Sequence, residues 1–177
     1  MNVFTRSLGL VALVISSAAF AGIQAPVKTV SHVDLDRYMG TWYEVASFPQ
    51  WFSEGCTASQ AEYEKRGRRV RVTNSCRLDD IHGPWKSADG WAKVVDKRSN
   101  AKLKVTFFWP FFGDYWIIEL DEDYRWAVVG SPDRDSLWIL SRTRQLDADT
   151  LDLILNRIDL QGFDLGRLEW TAQPEEN

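Results

Sequence analysis

Gly40-Thr41-Trp42-Tyr43-Glu44 decides how this chain is read, and it has a distant partner in Leu137-Trp138-Ile139-Leu140-Ser141-Arg142. In the first stretch a glycine lets the chain turn and a large aromatic opens an alternating strand. In the second, about a hundred residues later, an arginine ends another strand. An arginine can lie flat on an indole face, contributing about 0.5–2 kcal/mol, and still donate hydrogen bonds to nearby carbonyls. Trp42 and Arg142, brought together from the first and last strands of a sheet, would seal one end of a closed barrel. Between them Asp121-Glu122-Asp123-Tyr124-Arg125 forms a turn joining two strands, and makes Tyr124 a third structural candidate.

From Trp42 onward, short strands are separated by turn chemistry at intervals of roughly ten residues, which argues for an all-β sandwich or barrel. The expected strands are 41–49, 56–64, 69–77, 86–95, 103–110, 115–121, 126–131 and 137–142. Their turns carry Gly67, Gly83-Pro84, Lys97 to Asn100, Gly113-Asp114 and Pro132 to Asp135. Eight antiparallel strands with short connections fit an up-and-down barrel, a size that holds one small ligand. Ahead of them, Asp34 is expected to cap a short helical turn through Met39, with Gly40 ending it.

A C-terminal helix follows. Leu151, Ile154, Leu155 and Ile158 recur at helical spacing, Asp147 is a good N-cap, Leu146 with Leu151 suits a hydrophobic staple, and Gly162 closes the helix. That apolar stripe is core packing without chemistry. The helix should dock on the outside of the barrel, over Tyr43, Val45, Leu137 and Ile139, and residues 165–170 should add a last short strand.

The first residues point to export. Arg6, an apolar run from Leu8 to Phe20 and Ala19-Phe20-Ala21 describe a secretory signal peptide over 1–21. That leaves 22–177 as a single domain. No cysteine stands at the cleavage point to accept a lipid, so the expectation is an exported, soluble periplasmic protein. Removing Arg6 takes the formal net charge from −4 to −5. This mildly acidic chain has no basic block, which excludes nucleic acid as a partner. Cys56 and Cys76 both lie in the exported part and read as a disulfide in an oxidising compartment. A hairpin centred on Arg66 places the two opposite each other, and closing that loop should contribute roughly 3 kcal/mol. With only His32 and His82 to join them, neither a metal site nor a cofactor is expected.

Sorting the connections by barrel end separates two rims. The first, third, fifth and seventh bring Trp51, Phe52, Trp85, Trp109, Phe111 and Phe112 to one rim. The second, fourth and sixth are polar, and Trp42 with Arg142 falls at their end. Loops run over the surface, so three of them bearing aromatics to one rim mark a binding mouth. Within the barrel, Leu103, Val105, Phe107 and Trp109 share one face, and Tyr115 and Trp116 are further ligand-contacting candidates. Glu44, Glu62 and Glu119 are candidates for inward carboxylates that orient a ligand or pair with arginine. Lys86, Arg134 and Arg77 are candidates for a phosphate at the mouth.

Gly40 to Glu44, Phe107-Phe108-Trp109-Pro110-Phe111, Pro132 to Asp135 through Arg142, and Gln161-Gly162-Phe163-Asp164 together resemble the lipocalin family. Within it the resemblance, over about 32–174, is to the bacterial outer-membrane lipocalin and apolipoprotein D group. It implies an eight-stranded barrel with a helix outside, binding of fatty acids and lysophospholipids, and structural roles for Gly40, Trp42 and Arg142. Bacterial members are typically lipoproteins, and this chain departs from them in lacking the acceptor cysteine. The first functional reading is therefore a non-catalytic carrier of a small apolar ligand. The alternatives are an interaction module whose aromatic rim dimerises or meets a membrane, and an enzyme on the same barrel. No Cys/His or Ser/His/Asp set is visible for the last.

Overall fold

In the computed structural model residues 24–175 are described, so the expected leader over 1–21 lies outside the described residues. A short helix α1 (Leu35–Tyr38) precedes eight strands: β1 (Gly40–Ser47), β2 (Cys56–Arg66), β3 (Arg69–Leu78), β4 (Trp85–Val94), β5 (Lys102–Phe108), β6 (Phe111–Leu120), β7 (Trp126–Gly130) and β8 (Leu137–Ser141). A helix α2 (Ala148–Leu160) and a two-residue strand β9 (Glu169–Trp170) follow. Each of β1 to β8 pairs with its sequence neighbour, β8 also pairs with β1, and β9 adds to β1. The sheet thus closes into an antiparallel barrel.

The barrel has two apolar layers. Trp42, Tyr63, Val70, Val72, Leu103, Ile117 and Leu140 pack in the lumen. Ala46, Phe48, Ile118, Val128, Leu137 and Ile139 pack outside, under Ile154 and Ile158 of α2. The helix starts as its sequence dictates: the Asp147 carboxylate accepts from Thr150 N at 2.9 Å. It stops at Gly162, whose φ of +80° suits glycine.

Three expectations need correction. The β5–β6 hairpin turns at Trp109-Pro110, and Gly113-Asp114 lies within β6, with Gly113 opposite Val105. Proline cannot donate to a ladder, so it takes the turn. In β1 the register against β8 shifts between Glu44 and Ala46, and this bulge reverses the alternation. Ala46 and Phe48 therefore join Leu137 and Ile139 beneath α2, with Val45 at the edge. Tyr43 instead lies beneath the Arg144 guanidinium, 5.1 Å from it. Finally, Cys56 stands opposite Leu78, not Cys76, because the hairpin turns between Arg66 and Arg69 and not on Arg66 itself, and the one-residue shift between Thr57 and Gln60 recovers only part of the offset. The Cys56–Cys76 disulfide forms across that offset, with the Cα atoms 5.4 Å apart.

The end of the chain fills a gap in the wall. β1 and β2 part beyond the Tyr43–Gln60 pair, and the C-terminal strand lies between them. Thr171 N donates to Val45 O, and Ala58 N donates to Ala172 O. The Gln173 amide bridges the carbonyls of Glu44 and Ser59, at 2.9 Å to each.

Candidate functional site

One end of the barrel is sealed. The Arg142 guanidinium carbon lies 3.8 Å from the centre of the Trp42 ring. Its nitrogens donate to Thr41 O at 2.7 Å and to Arg37 O and Met39 O at 2.9 Å. Gly40 is needed for its backbone and not for space: its φ is +92°, while a Cβ there would only touch Arg142 Nη1, at 3.5 Å. Tyr124, also at positive φ, accepts from Asp34 N at 2.8 Å through its hydroxyl. The Arg37 guanidinium stacks 4.2 Å from its ring. Asp121 holds the turn by accepting from Asp123 N, Arg125 N and the Arg125 guanidinium. These hydrogen bonds, the guanidinium's first, keep its carboxyl below the usual carboxylate range.

Above that seal, three tyrosines from distant elements meet inside the lumen. Tyr38 and Tyr115 share a hydrogen bond of 2.8 Å, and the Tyr115 hydroxyl donates to Tyr63 at 2.9 Å. Burial pushes the Tyr63 phenol up to about 12 and those of Tyr38 and Tyr115 well above the ordinary value. The surrounding side chains, among them Val70, Val72, Leu103, Val105 and Ile117, fill the space. The cavity left there is about 10 Å³, barely enough to admit one water.

The opposite rim is aromatic. Trp51, Trp109 and Phe111 are 81%, 82% and 78% exposed. Phe108, not singled out from the sequence, stands exposed opposite Phe111 across the turn. Phe52 sits edge-on to Trp51, and its carbonyl accepts from Lys86 Nζ at 3.4 Å.

Of the wall candidates, Val105, Phe107 and Tyr115 pack with the lumen cluster. Phe107 fits because Gly90 faces it, where a Cβ would come within 2.7 Å of the ring. Trp109 is in the turn and not on that inner face, since a shift between Val105 and Phe108 breaks the alternation. Three other aromatics turn outward and carry cations on their faces. Trp85 lies under Arg77, Phe112 under Lys93 and Trp116 under Lys102, at 4.3, 4.6 and 3.9 Å. Strand alternation decides this, because their neighbours Ala92, Gly90, Tyr115 and Ile117 take the inward positions.

The carboxylate candidates also separate. Glu119 pairs with Arg157 and Gln161 beneath α2, and Glu62 alternates outward between Ala61 and Tyr63. Glu44 faces the lumen, where its Oε1 accepts from Thr171 Oγ1 at 2.6 Å and Ser47 Oγ at 3.2 Å. Burial raises its carboxyl above the ordinary value, partly offset by these two hydroxyls. It borders a groove of about 490 Å³ between the 51–55 loop, the start of β2 and β9. Of the phosphate candidates, Lys86 is at the mouth. Arg77 donates to Gly83 O on the outer face, and Arg134 donates to Gln161 O beside α2.

A barrel plugged at one end, apolar within and rimmed with aromatics at the other has the architecture of a small-ligand-binding barrel. Residues 33–173 match the family model for a lipocalin-like domain. The chain is 37% identical over 175 residues to the outer membrane lipoprotein Blc of Escherichia coli strain K12, covering 96% of this chain and 98% of the relative. It is 30% identical over 148 residues to apolipoprotein D of Macaca fascicularis, covering 79% and 77% of the two. Among solved structures, insecticyanin from the tobacco hornworm Manduca sexta shares the fold with a TM-score of 0.68 at 21% identity, over 84% of this chain and 85% of that one. The chain belongs to the lipocalin family, whose barrels hold one small apolar ligand.

Proposed function

We propose that this protein binds a fatty acid or lysophospholipid in the barrel lumen and carries or stores it, without catalysis, in the maintenance of envelope lipids. The observation that carries the reading is the contrast between the two ends: Trp42 and Arg142 seal one, and exposed Trp51, Trp109 and Phe111 surround the other. Between them the wall is apolar, and burying each methylene of a chain contributes about 0.8 kcal/mol. A long chain would then bind at about micromolar strength or better after ordering costs. Both sulfurs are in the disulfide, which leaves no thiolate to act as nucleophile. Export to the periplasm, with the leader over 1–21 removed, places the carrier beside its ligand, and the name of the Escherichia coli relative supports an envelope setting.

Native mass spectrometry of protein purified from periplasm, followed by tryptophan quenching with oleate and lysophospholipid, tests this. A bound mass of lipid size, with saturable quenching weakened in Trp109→Ala, is the expected result. No bound mass and no quenching at tens of micromolar ligand would overturn it. The exposed rim aromatics favour a second reading, in which the same rim meets a second copy of the chain or a membrane surface. A tight dimer lost on substituting Trp51 and Trp109, with no lipid uptake, would select it.

A further inference from the structure

Two polar side chains face the lumen with unmatched atoms. Glu44 follows Trp42 by two positions and precedes the bulge, so it shares the inward face of β1. Only its Oε1 is held, by Thr171 and Ser47. Among the described residues no hydrogen bond reaches Oε2, and no lysine, arginine or histidine forms an ion pair with Glu44. Asn74 alternates inward with Val70 and Val72 on β3, and its Oδ1 is buried with no hydrogen-bond partner. The strand between them presents Ala61, opposite both Trp42 and Asn74, and beyond Asn74 stands Ala88. Small residues thus stand beside both polar groups on the inner face and offer neither of them a hydrogen-bond donor.

The groove beside Glu44 is negative as well as roomy. Glu169 pairs with Ser47 and lies on the same face of the β1–β9 ladder. Hydroxyls of Thr57, Ser59 and Thr171 also border the groove, with Trp51 at its outer edge. The Glu44 carboxylate borders the groove with no cation beside it, and a buried amide oxygen without a donor is costly. A group that is positively charged and donates hydrogen bonds would pair with the first and satisfy the second.

We infer that Glu44 and Asn74 form a subsite for a protonated amine or related ammonium group, the polar end of an amphiphile whose apolar part occupies the lumen. The inference rests on the carrier reading above and, of its two ligand classes, favours a lysophospholipid with an ammonium-bearing head over a fatty acid. Glu44 supplies the charge, and Asn74 supplies an acceptor that only a head bearing N–H uses. Trp51 offers an aromatic face at the entrance. A free ammonium ion and an ammonium head on an apolar chain share this chemistry, and the tail separates them.

The test is a set of tryptophan-fluorescence titrations at neutral pH, below micelle-forming concentrations, with dodecylammonium, dodecyltrimethylammonium, dodecanoate and tail-free methylammonium. The expected order places dodecylammonium at least about tenfold tighter than dodecanoate, with methylammonium much weaker. Glu44→Gln, which keeps an acceptor for Thr171, should remove that preference by weakening both cations about tenfold and leaving dodecanoate unchanged or tighter. Asn74→Ala should weaken dodecylammonium more than dodecyltrimethylammonium, which has no N–H to donate. Equal binding of dodecanoate and dodecylammonium, or a preference that survives Glu44→Gln, would overturn the subsite and leave the carrier intact. Absence of binding by all three chain-bearing probes would instead count against the carrier. Methylammonium as tight as dodecylammonium would make the site one for free cations and overturn the amphiphile assignment.

Discussion

Arg142 lies 3.8 Å from the centre of the Trp42 ring and donates to the carbonyls of Arg37, Met39 and Thr41. One side chain at the end of β8 thereby ties down α1, the start of β1 and the plug of the barrel. It combines a stacking contact of about 0.5–2 kcal/mol with several charge-assisted hydrogen bonds, each stronger than a neutral one.

Arg142→Ala should therefore destabilise the fold by about 3 kcal/mol, since it loses the stack and leaves three carbonyls without their donor. Arg142→Lys should recover little, because a point charge cannot lie flat on the ring and reach three acceptors at once. Urea denaturation midpoints, with the slope checked for constancy, measure both. A shift of under half a kilocalorie for the alanine variant would refute the role of Arg142 as a clamp.

The Cys56–Cys76 disulfide joins residues 20 apart, at the mouth beside the 51–55 loop. Replacing both with serine should cost roughly 3 kcal/mol in the chain-entropy model and loosen that loop. Thermal denaturation and ligand titration of C56S/C76S read the two effects separately. Unchanged stability together with unchanged binding would remove the disulfide from any account of the mouth.

Glu44 should make stability fall as pH rises. Its folded pKa is raised, chiefly by burial. Between the unfolded and folded values the native state therefore holds a proton that the unfolded chain has released. Stability is greatest below the ordinary glutamate pKa and declines upward from about 4.5 through the raised value. Glu44→Gln should flatten this slope and become the more stable protein, relative to wild type, toward neutral pH. Melting temperatures across the acidic range check the sign. A variant whose slope matches wild type would contradict it.

The hydroxyl chain Tyr38–Tyr115–Tyr63 makes the middle residue the sensitive one. Tyr115→Phe strands the hydroxyls of both neighbours, at about 1–3 kcal/mol each, whereas Tyr38→Phe strands only one bond. Tyr115→Phe should be the more damaging of the two by about 1 kcal/mol or more. At alkaline pH the same group acts through linkage. The Tyr63 phenol is raised from 10.0 to about 12, so the unfolded state ionises first and stability is lost as pH climbs through that interval. Phenolate absorbance should show Tyr38, Tyr63 and Tyr115 ionising only as the protein unfolds. Ionisation of these three at their ordinary value in the folded protein would break the argument.

The strands, the caps at Asp34 and Asp147, the stop at Gly162, the late strand near 169 and the division into a polar sealed end and an aromatic open one were all legible in the sequence. Each rests on local chemistry: alternation, side chains that satisfy backbone donors, and residues that tolerate a turn. The pairing of Trp42 with Arg142 was legible too, because two distant stretches fall at the same end once the strands are counted.

Parity across irregularities was not legible. The bulge after Glu44 put Ala46 and Phe48 beneath α2 in place of Tyr43, and a register shift near Phe108 sent Trp109 out of the lumen face. A bulge is fixed by the partner strand, so a strand's own residues do not announce it. The outward turn of Trp85, Phe112 and Trp116 onto Arg77, Lys93 and Lys102 likewise depended on neighbours in space. The tyrosine chain spans 77 residues, and the groove beside Glu44 exists because a strand from the far end of the chain lies between β1 and β2. The sequence by itself determined the barrel and its two ends, since periodicity and capping act over a few residues. Only the tertiary structure decided which polar groups share the lumen and which lack partners, because that depends on what distant segments bring alongside them.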